Sequence, residues 1–149
     1  MYKYTKVDQK ELLPFNSRYI VSLDNHVELV EALAAFCRKK GIKAGQISGI
    51  GAVSEATFRF LDPATKQYVD KTFAEQMEIT SIAGNISEKD GQVYLHIHLT
   101  CSRRDYSCVG GHLLSARING ACELLIDAFH TTFVGRYADE ETGLNLYKF

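Results

Sequence analysis

The sequence predicts an α+β fold in which one amphipathic helix packs on a mostly antiparallel β-sheet. Three observations lead to this prediction. A strand-like segment and a helical segment come first, segments with a period of two fill most of the remaining chain, and tight-turn residues separate them. The 149 residues fit one domain spanning residues 1–149, and the 46% apolar content is sufficient for a buried core.

The helix is predicted between a first strand and a glycine. Residues Arg18–Leu23 read as the strand, and Asp24 or Asn25 follows as a candidate helix N-cap. Basic residues at Arg38–Lys40 complement the dipole at the helix C-terminus, and Gly41 ends the helix. The apolar stripe of this helix consists of Val27, Val30, Ala34 and Cys37, with Leu29, Leu33 and Phe36 beside it.

The rest of the chain reads as strands joined by short turns. Asp90-Gly91 and Asn119-Gly120 are typical of hairpin turns, and Ser102–Gly111 reads as a polar loop. The predicted strands span residues 43–61, 67–73, 77–87, 92–101, 112–119 and 121–133, with a short last strand within 143–146. This order of elements favours a sheet built mainly from sequential antiparallel pairs.

Three glycines interrupt the first long strand, at Gly45, Gly49 and Gly51. A dinucleotide-binding loop has the order G-x-G-x-x-G and opens a helix, whereas this segment has the reverse spacing and follows a helix. We therefore interpret these glycines as bulges or as points of close backbone approach.

Charge and cysteine content narrow the class of protein. The formal net charge is −1, from 17 basic and 18 acidic residues, which is not the surplus of a self-sufficient nucleic-acid binder. The four cysteines form no C-x-x-C pair, so we expect reduced thiols in a cytoplasmic protein. No membrane-spanning run or signal peptide is expected. DNA contacts would need basic residues from several segments, namely Arg38, Lys39, Lys40 and Lys43 with Arg103, Arg104 and Arg117.

The segment from Leu95 to Thr100 carries the chemistry that the sequence proposes. Its strict alternation places His96 and His98 on one face of a strand, and His112 follows a Gly-Gly pair downstream. Three imidazoles could hold one divalent metal ion with a coordination position left open for water or a small anionic ligand. The alternative is that the strand exposes these histidines to solvent, or satisfies them in a polar interface, without a metal.

Other candidate groups cannot be placed beside the histidines by sequence alone. Cys101 should face away from them, and Cys108 is a less favoured supplementary ligand. His26 reads as a residue of the helix cap region and His130 as a residue on the sheet surface. Arg103-Arg104 could recognise an anion, although a solvated loop pair is the simpler interpretation. Candidates for a general acid or base are Glu78, Arg103, Asp105, Glu123 and Asp127.

Taken together, these segments resemble the PPC (plants and prokaryotes conserved) domain family. The resemblance rests on His96-Ile97-His98, on Gly110-Gly111-His112 and on the strand Glu123–Ile126. It is extended by the glycine-bearing segment Gln46–Ala52 and by Glu78–Ile86, and it covers the chain from about Arg18 to Leu146.

The resemblance implies an antiparallel sheet with flanking helices, assembled as a homotrimer. It also implies a metal site, usually assigned to zinc, at His96, His98 and His112. Plant members carry AT-hooks for DNA, and prokaryotic members bear a DNA-binding label with an undefined biochemical role. This chain lacks an AT-hook, and it has Asp24-Asn25-His26 where many relatives have Gly-Glu. Two functions therefore stay open, a DNA-associated regulatory module and a small metal-dependent hydrolase or lyase.

Overall fold

The computed structural model describes residues 2–7, 16–130 and 133–149. Within these residues the chain forms nine strands and one helix. In chain order they are β1 (Tyr2–Val7), β2 (Asn16–Leu23), α1 (Leu29–Lys40), β3 (Gly45–Asp62), β4 (Gln67–Phe73), β5 (Met77–Lys89), β6 (Gln92–Ser102), β7 (Cys108–Phe129), β8 (Gly135–Ala138) and β9 (Asn145–Lys148).

The strands belong to one sheet in which neighbours run antiparallel, apart from a single parallel pairing between β5 and β8. The pairings of β3 with β5, β5 with β6, β6 with β7 and β7 with β3 form a closed cycle of four strands. Strands β2 and β1 extend the sheet beyond the second half of β7, and β4 pairs with the second half of β3. The mostly antiparallel α+β prediction is confirmed.

The core lies on the inner face of the sheet and beneath α1. Every second residue of β6 contributes to it, since Ile97, Leu99 and Cys101 are buried while their neighbours face outward. Aliphatic side chains from each strand of the closed cycle complete the core, among them Ile47, Val53, Ile82, Ile86, Leu113, Ile118, Leu124 and Ile126. Burial on one face alone is what fixes the register of the histidine-bearing strand.

Helix α1 begins later than the sequence predicted. Glu28 is the N-cap, and its carboxylate accepts hydrogen bonds from the backbone N–H groups of Val30 and Glu31 at 3.1 and 2.6 Å. The same carboxylate accepts from the N–H of Ala116 at 3.0 Å and so ties the helix start to β7. A longer side chain that bridges two elements therefore replaces the predicted cap at Asp24 or Asn25. Gly41 ends the helix in a left-handed conformation, as predicted.

The predicted hairpin at Asn119-Gly120 is wrong, because β7 runs through it without reversing. A type I′ turn needs positive φ at both central residues, and of this pair only Gly120 has one. Ala52 of β3 faces residues 119–121 in a bulge of β7. The polar groups find partners elsewhere, since Asn119 exchanges hydrogen bonds with Gln76 and Gly120 N–H donates to Asn25.

Several boundaries also differ from the predictions. The loop expected over 102–111 is confined to 103–107, so the glycine pair before His112 lies inside β7. The sequence patterns missed β1 and β8, and the flanking helices expected from the family resemblance reduce to α1 among the described residues. Residues 131 and 132 of the predicted strand 121–133 lie outside the described part of the chain. Strand β4 has the predicted limits, Gln67–Phe73.

Candidate metal centre

The structure brings the three predicted histidines together on the outer face of the sheet. His96 and His98 lie two residues apart on β6, and His98 is the cross-strand partner of His112 on β7. One ring nitrogen from each histidine lies within 4.8 Å of the other two. The ring centroids are 5.1 to 5.6 Å apart. The three imidazoles therefore converge on one point above the sheet.

Two glycines allow β7 to deliver His112 to this position. A Cβ on Gly110 would lie 2.5 Å from the carbonyl oxygen of Leu99 on β6, so only glycine permits this close approach of the two strands. Gly111 has φ of 149°, a conformation that L side chains rarely adopt, although a Cβ there would meet nothing within 4 Å. Close approach and backbone conformation, rather than a turn, therefore explain the Gly-Gly-His sequence.

The surroundings of the cluster favour neutral imidazoles. Partial burial, then the neighbouring His112 and His98, and then Arg136 lower the pKa of His96 to about 4. Burial is also the main cause that lowers the pKa of His112, with smaller effects from His98 and Arg59. A neutral imidazole is the form that ligates a metal ion. The unprotonated form therefore predominates at neutral pH for both rings.

One cross-strand row connects His96 to the other end of the sheet. Its successive partners are Arg18 on β2, Asp127 on β7, Gln46 on β3, Asn85 on β5 and His96 on β6. Small side chains lie in the next row, where Ser48 pairs with Ala83 and Ala83 with His98. The floor of a trough of about 560 Å³ includes Gln46, Ser48, Ala83 and Asn85, and the trough reaches His96 and His98.

An apolar groove lies on the other side of the cluster. It has a volume of about 720 Å³ and includes His98 and His112 in its wall. Its apolar wall comes from the hairpin of β3 and β4, where Phe60 is 67% exposed and Val69 is 59% exposed. Arg59 in this wall is paired with Asp70 at 2.8 Å. The histidines thus separate a trough with a small polar floor from an aromatic groove.

Arg136 is a residue that the sequence patterns did not connect with the histidines. Its guanidinium lies 4.9 Å from the ring centroid of Tyr94 and 4.2 Å from that of Tyr147. It donates hydrogen bonds to Ser87 Oγ, to the carbonyl of Asn145 and to Asn85 Oδ1, at 2.6 to 2.7 Å. All three acceptors are neutral, so they do not compensate the positive charge of Arg136. Arg136 lies on the hairpin of β8 and β9 and places this charge near His96. No sequence spacing links residue 136 to residue 85.

The structure does not bring the candidate acids and bases to the cluster. Among the described residues, the metal-ligand cluster contains the three histidines and no carboxylate or thiol. Arg103 pairs with Glu75, Asp105 accepts from Ser107, and Asp127 pairs with Arg18. Of the remaining candidates, Glu78 borders a cavity with Arg103 and Arg104, and Glu123 is exposed on β7 opposite Ile50. Cys101 is buried on the inner face, as predicted, and Cys108 is exposed.

Most of the basic residues considered for DNA contacts have partners of their own. Lys40 donates to the hydroxyl of Tyr4, and Lys43 pairs with Glu88 at 3.1 Å. Arg117 donates to the carbonyl oxygen of His26 at 3.0 Å. Arg104 is exposed in the turn between β6 and β7. These cations come from different segments, and Lys40, Lys43 and Arg117 are held by separate contacts.

Within the described residues, no helix combines the length and the apolar character that crossing a membrane requires. The 12-residue α1 packs its apolar side on the sheet instead.

Comparisons with known proteins place this geometry in context. The model of the Plants and Prokaryotes Conserved (PCC) domain matches residues 14–130. A structure described as a putative DNA-binding protein from Bacteroides thetaiotaomicron is 50% identical, with a TM-score of 0.91 over 100% of this chain and 98% of that chain. A metal-containing protein from Archaeoglobus fulgidus is 34% identical, with a TM-score of 0.84 over 99% and 98%.

A plant- and prokaryote-conserved protein from Pyrococcus horikoshii shares the fold, with 23% identity and a TM-score of 0.83 over 98% of this chain and 94% of that chain. Among curated proteins, none matches.

Proposed function

The chain belongs to the Plants and Prokaryotes Conserved domain family, and from this premise we propose that it binds one divalent metal ion, Zn²⁺, through His96, His98 and His112. One observation carries the proposal, the convergence of three ring nitrogens within 4.8 Å. A metal-containing relative at 34% identity supports it. We further propose that residues 1–149 form one PCC domain.

The donor set fits zinc better than a hard cation. Imidazole nitrogens suit Zn²⁺, whereas Mg²⁺ and Ca²⁺ take oxygen ligands, of which this cluster has none. Tetrahedral zinc with Zn–N bonds of about 2.0–2.1 Å needs nitrogens about 3.3 Å apart. Small ring rotations would close the cluster to that spacing. When bound by three imidazoles, zinc keeps a further coordination position and acts as a Lewis acid toward an oxygen-bearing ligand.

Elemental analysis of untagged protein tests this proposal. We expect about one zinc per chain in the wild type and none in His96→Ala. His130→Ala is the matched control, because His130 is exposed beyond the end of β7 and is not part of the cluster. Wild-type protein that contains no metal and takes up none on titration would contradict the site, as would full zinc occupancy in His96→Ala.

We propose that the protein assembles as a homotrimer. Ile20 and Leu125 are cross-strand partners on the outer face of the sheet, and they are 48% and 47% exposed. Their row continues to Ser48, so the apolar surface adjoins the trough. Light scattering should give a mass of three 16.7 kDa chains, and Leu125→Arg should shift it toward one chain. A wild-type mass of one chain would contradict the trimer.

A metal-dependent hydrolase or lyase is the enzymatic candidate. The observation that favours it is the groove of about 720 Å³ beside His98 and His112, which offers room for a substrate. Screening esters and lactones with zinc-loaded protein tests it. Turnover that disappears in His98→Ala supports an enzyme, and metal-loaded protein without turnover on the whole panel counts against these substrate classes.

A DNA-associated regulatory role in the cytoplasm is the other candidate. It is supported by the description of the 50% identical relative, whereas the net charge of −1 and the paired cations oppose it. Retention on duplex DNA that falls with salt would support this role. Absence of retention at low salt would contradict it.

A further inference from the structure

We infer that Asn85 is a ligand-contacting residue of the metal centre and that Arg136 is its positioning residue. In this arrangement Asn85 Nδ2 donates a hydrogen bond to an oxygen of a small carboxylate ligand held at the metal. The inference rests on the proposed metal site, and it specifies the class of ligand that this site takes.

The orientation of the Asn85 amide follows from its partner. Arg136 Nη2 lies 2.7 Å from the side-chain oxygen of Asn85. A guanidinium has only donors, so the amide atom that faces it must be the oxygen. Nδ2 then points away from Arg136. It has no acceptor among the hydrogen bonds of the described residues, which leaves its two N–H groups available to a ligand.

Arg136 is itself held in place from several sides. The rings of Tyr94 and Tyr147 lie 4.9 and 4.2 Å from the guanidinium carbon, and two further hydrogen bonds fix Nε and Nη1. Because Ser87 is fully buried, the hydrogen bond to its hydroxyl anchors the guanidinium at the sheet. The amide of Asn85 is therefore oriented by a rigid neighbour before any ligand arrives.

The position of Asn85 places this donor beside the metal centre. Asn85 is the cross-strand partner of His96, and such partners have Cβ atoms about 4.5–5.5 Å apart on the same face. Both residues border the trough of about 560 Å³, together with His98. A ligand bound at the three histidines and extending along the trough would thus pass Asn85.

The local charge selects an anion. A divalent ion on three neutral imidazoles keeps both positive charges, and Arg136 adds a third, whose hydrogen bonds within the described part of the chain go to neutral acceptors. The cluster contains no carboxylate among the described residues, and the nearest acid of the row, Asp127, is paired with Arg18. A carboxylate supplies both a negative charge and an acceptor oxygen, which matches a metal ion beside an amide N–H.

Acetate binding to the cobalt-substituted protein tests this inference, because the visible spectrum of Co²⁺ responds to a new oxygen ligand. We expect Asn85→Ala to weaken acetate binding about tenfold, the usual effect of losing a hydrogen bond to a charged group, with cobalt content unchanged. Asn85→Asp, which has no N–H donor, should weaken it at least as much. Gln92→Ala is the matched control, since Gln92 is an exposed amide at the start of β6 that does not line the trough.

A double-mutant cycle separates positioning from general structure. Arg136→Lys keeps the charge but cannot keep three fixed hydrogen bonds, so it should weaken acetate binding in the wild type and change it little in Asn85→Ala. Equal losses in both backgrounds would contradict the positioning role. Unchanged acetate affinity in Asn85→Ala with full cobalt would contradict the inference alone, whereas a wild type that binds no metal would contradict the metal site as well.

Discussion

The histidine cluster and the basic end of α1 each bring side chains of one kind close together, but the two regions differ in the contacts that these side chains make. At the helix end, each basic side chain has a structural reason, because the dipole favours cations there and Lys40 contacts Tyr4. At the cluster, three imidazoles face one another on the outer surface, and no acid among the described residues joins them. The contacts of the helix end thus account for its charges, whereas the cluster leaves three ring nitrogens facing one another.

The largest expected effect is on metal content, which should fall when a histidine of the cluster is substituted and stay the same when a lysine of α1 is substituted. His98→Ala and His112→Ala should each abolish stoichiometric zinc, because two imidazoles alone hold the ion far more weakly. Lys39→Ala and Lys40→Ala should keep about one zinc per chain. Elemental analysis of the four variants measures this difference. Zinc retained in both histidine variants would contradict a metal site at the histidine cluster.

The next largest effect is expected on substitution of two glycines with positive φ. Gly111 precedes His112 and Gly41 caps α1, and a Cβ at either would meet nothing within 4 Å. Alanine should therefore cost each site about 1–3 kcal/mol of backbone strain in the free energy of unfolding. Only Gly111→Ala should also weaken zinc binding, because it shifts His112. Chemical denaturation and zinc titration measure the two effects, and equal zinc affinity in both variants would count against the backbone explanation.

A smaller effect concerns the stability of the metal-free protein in acid. The pKa of His96 is about 4 when folded and 6.5 in its ordinary state. Between these values the unfolded chain binds a proton that the folded chain does not, so stability should fall as pH drops from 6.5 toward 4. The side-chain hydrogen bond between Lys40 and Tyr4 raises the pKa of Lys40 and lowers that of Tyr4, so Lys40 keeps its proton throughout the acid range.

Melting temperatures between pH 4 and 7 test this prediction. His96→Gln should flatten the acid decline, whereas Lys40→Gln should leave its slope unchanged. An identical slope in wild type and His96→Gln would show that other groups cause the decline.

The smallest expected effect is on DNA. If the basic end of α1 is structural, Lys39→Glu combined with Lys40→Glu should change the affinity for duplex DNA less than about threefold. Two lost phosphate contacts would instead reduce the salt slope of binding by about 2. Anisotropy titrations at several salt concentrations distinguish these outcomes. The larger loss of affinity, with the reduced salt slope, would show that the basic end of α1 contacts DNA.

The sequence predicted those parts of the fold and site that depend on local periodicity. Alternation from Leu95 to Thr100 placed His96 and His98 on the outer face and Cys101 on the inner face, and β4 has its predicted limits. Prediction from the sequence failed where residues far away in the chain determine the backbone conformation. Asn119-Gly120 looks like a hairpin turn, but Gln76 and Asn25 satisfy its polar groups within a continuous strand.

The sequence by itself determined the α+β class, the single amphipathic helix and the three histidines as candidate ligands, because periods of 3.6 and 2 and the Gly-Gly-His sequence are local properties of the chain. Only the tertiary structure decided that His112 lies opposite His98, that no acid from the described strands reaches the cluster, and that Arg136 fixes Asn85 beside His96. His98 and His112 are 14 positions apart in the chain, and Asn85 and Arg136 are 51 positions apart. Strand register and the position of the β8–β9 hairpin bring these residues together, and neither can be deduced from the alternation of apolar and polar residues within one segment.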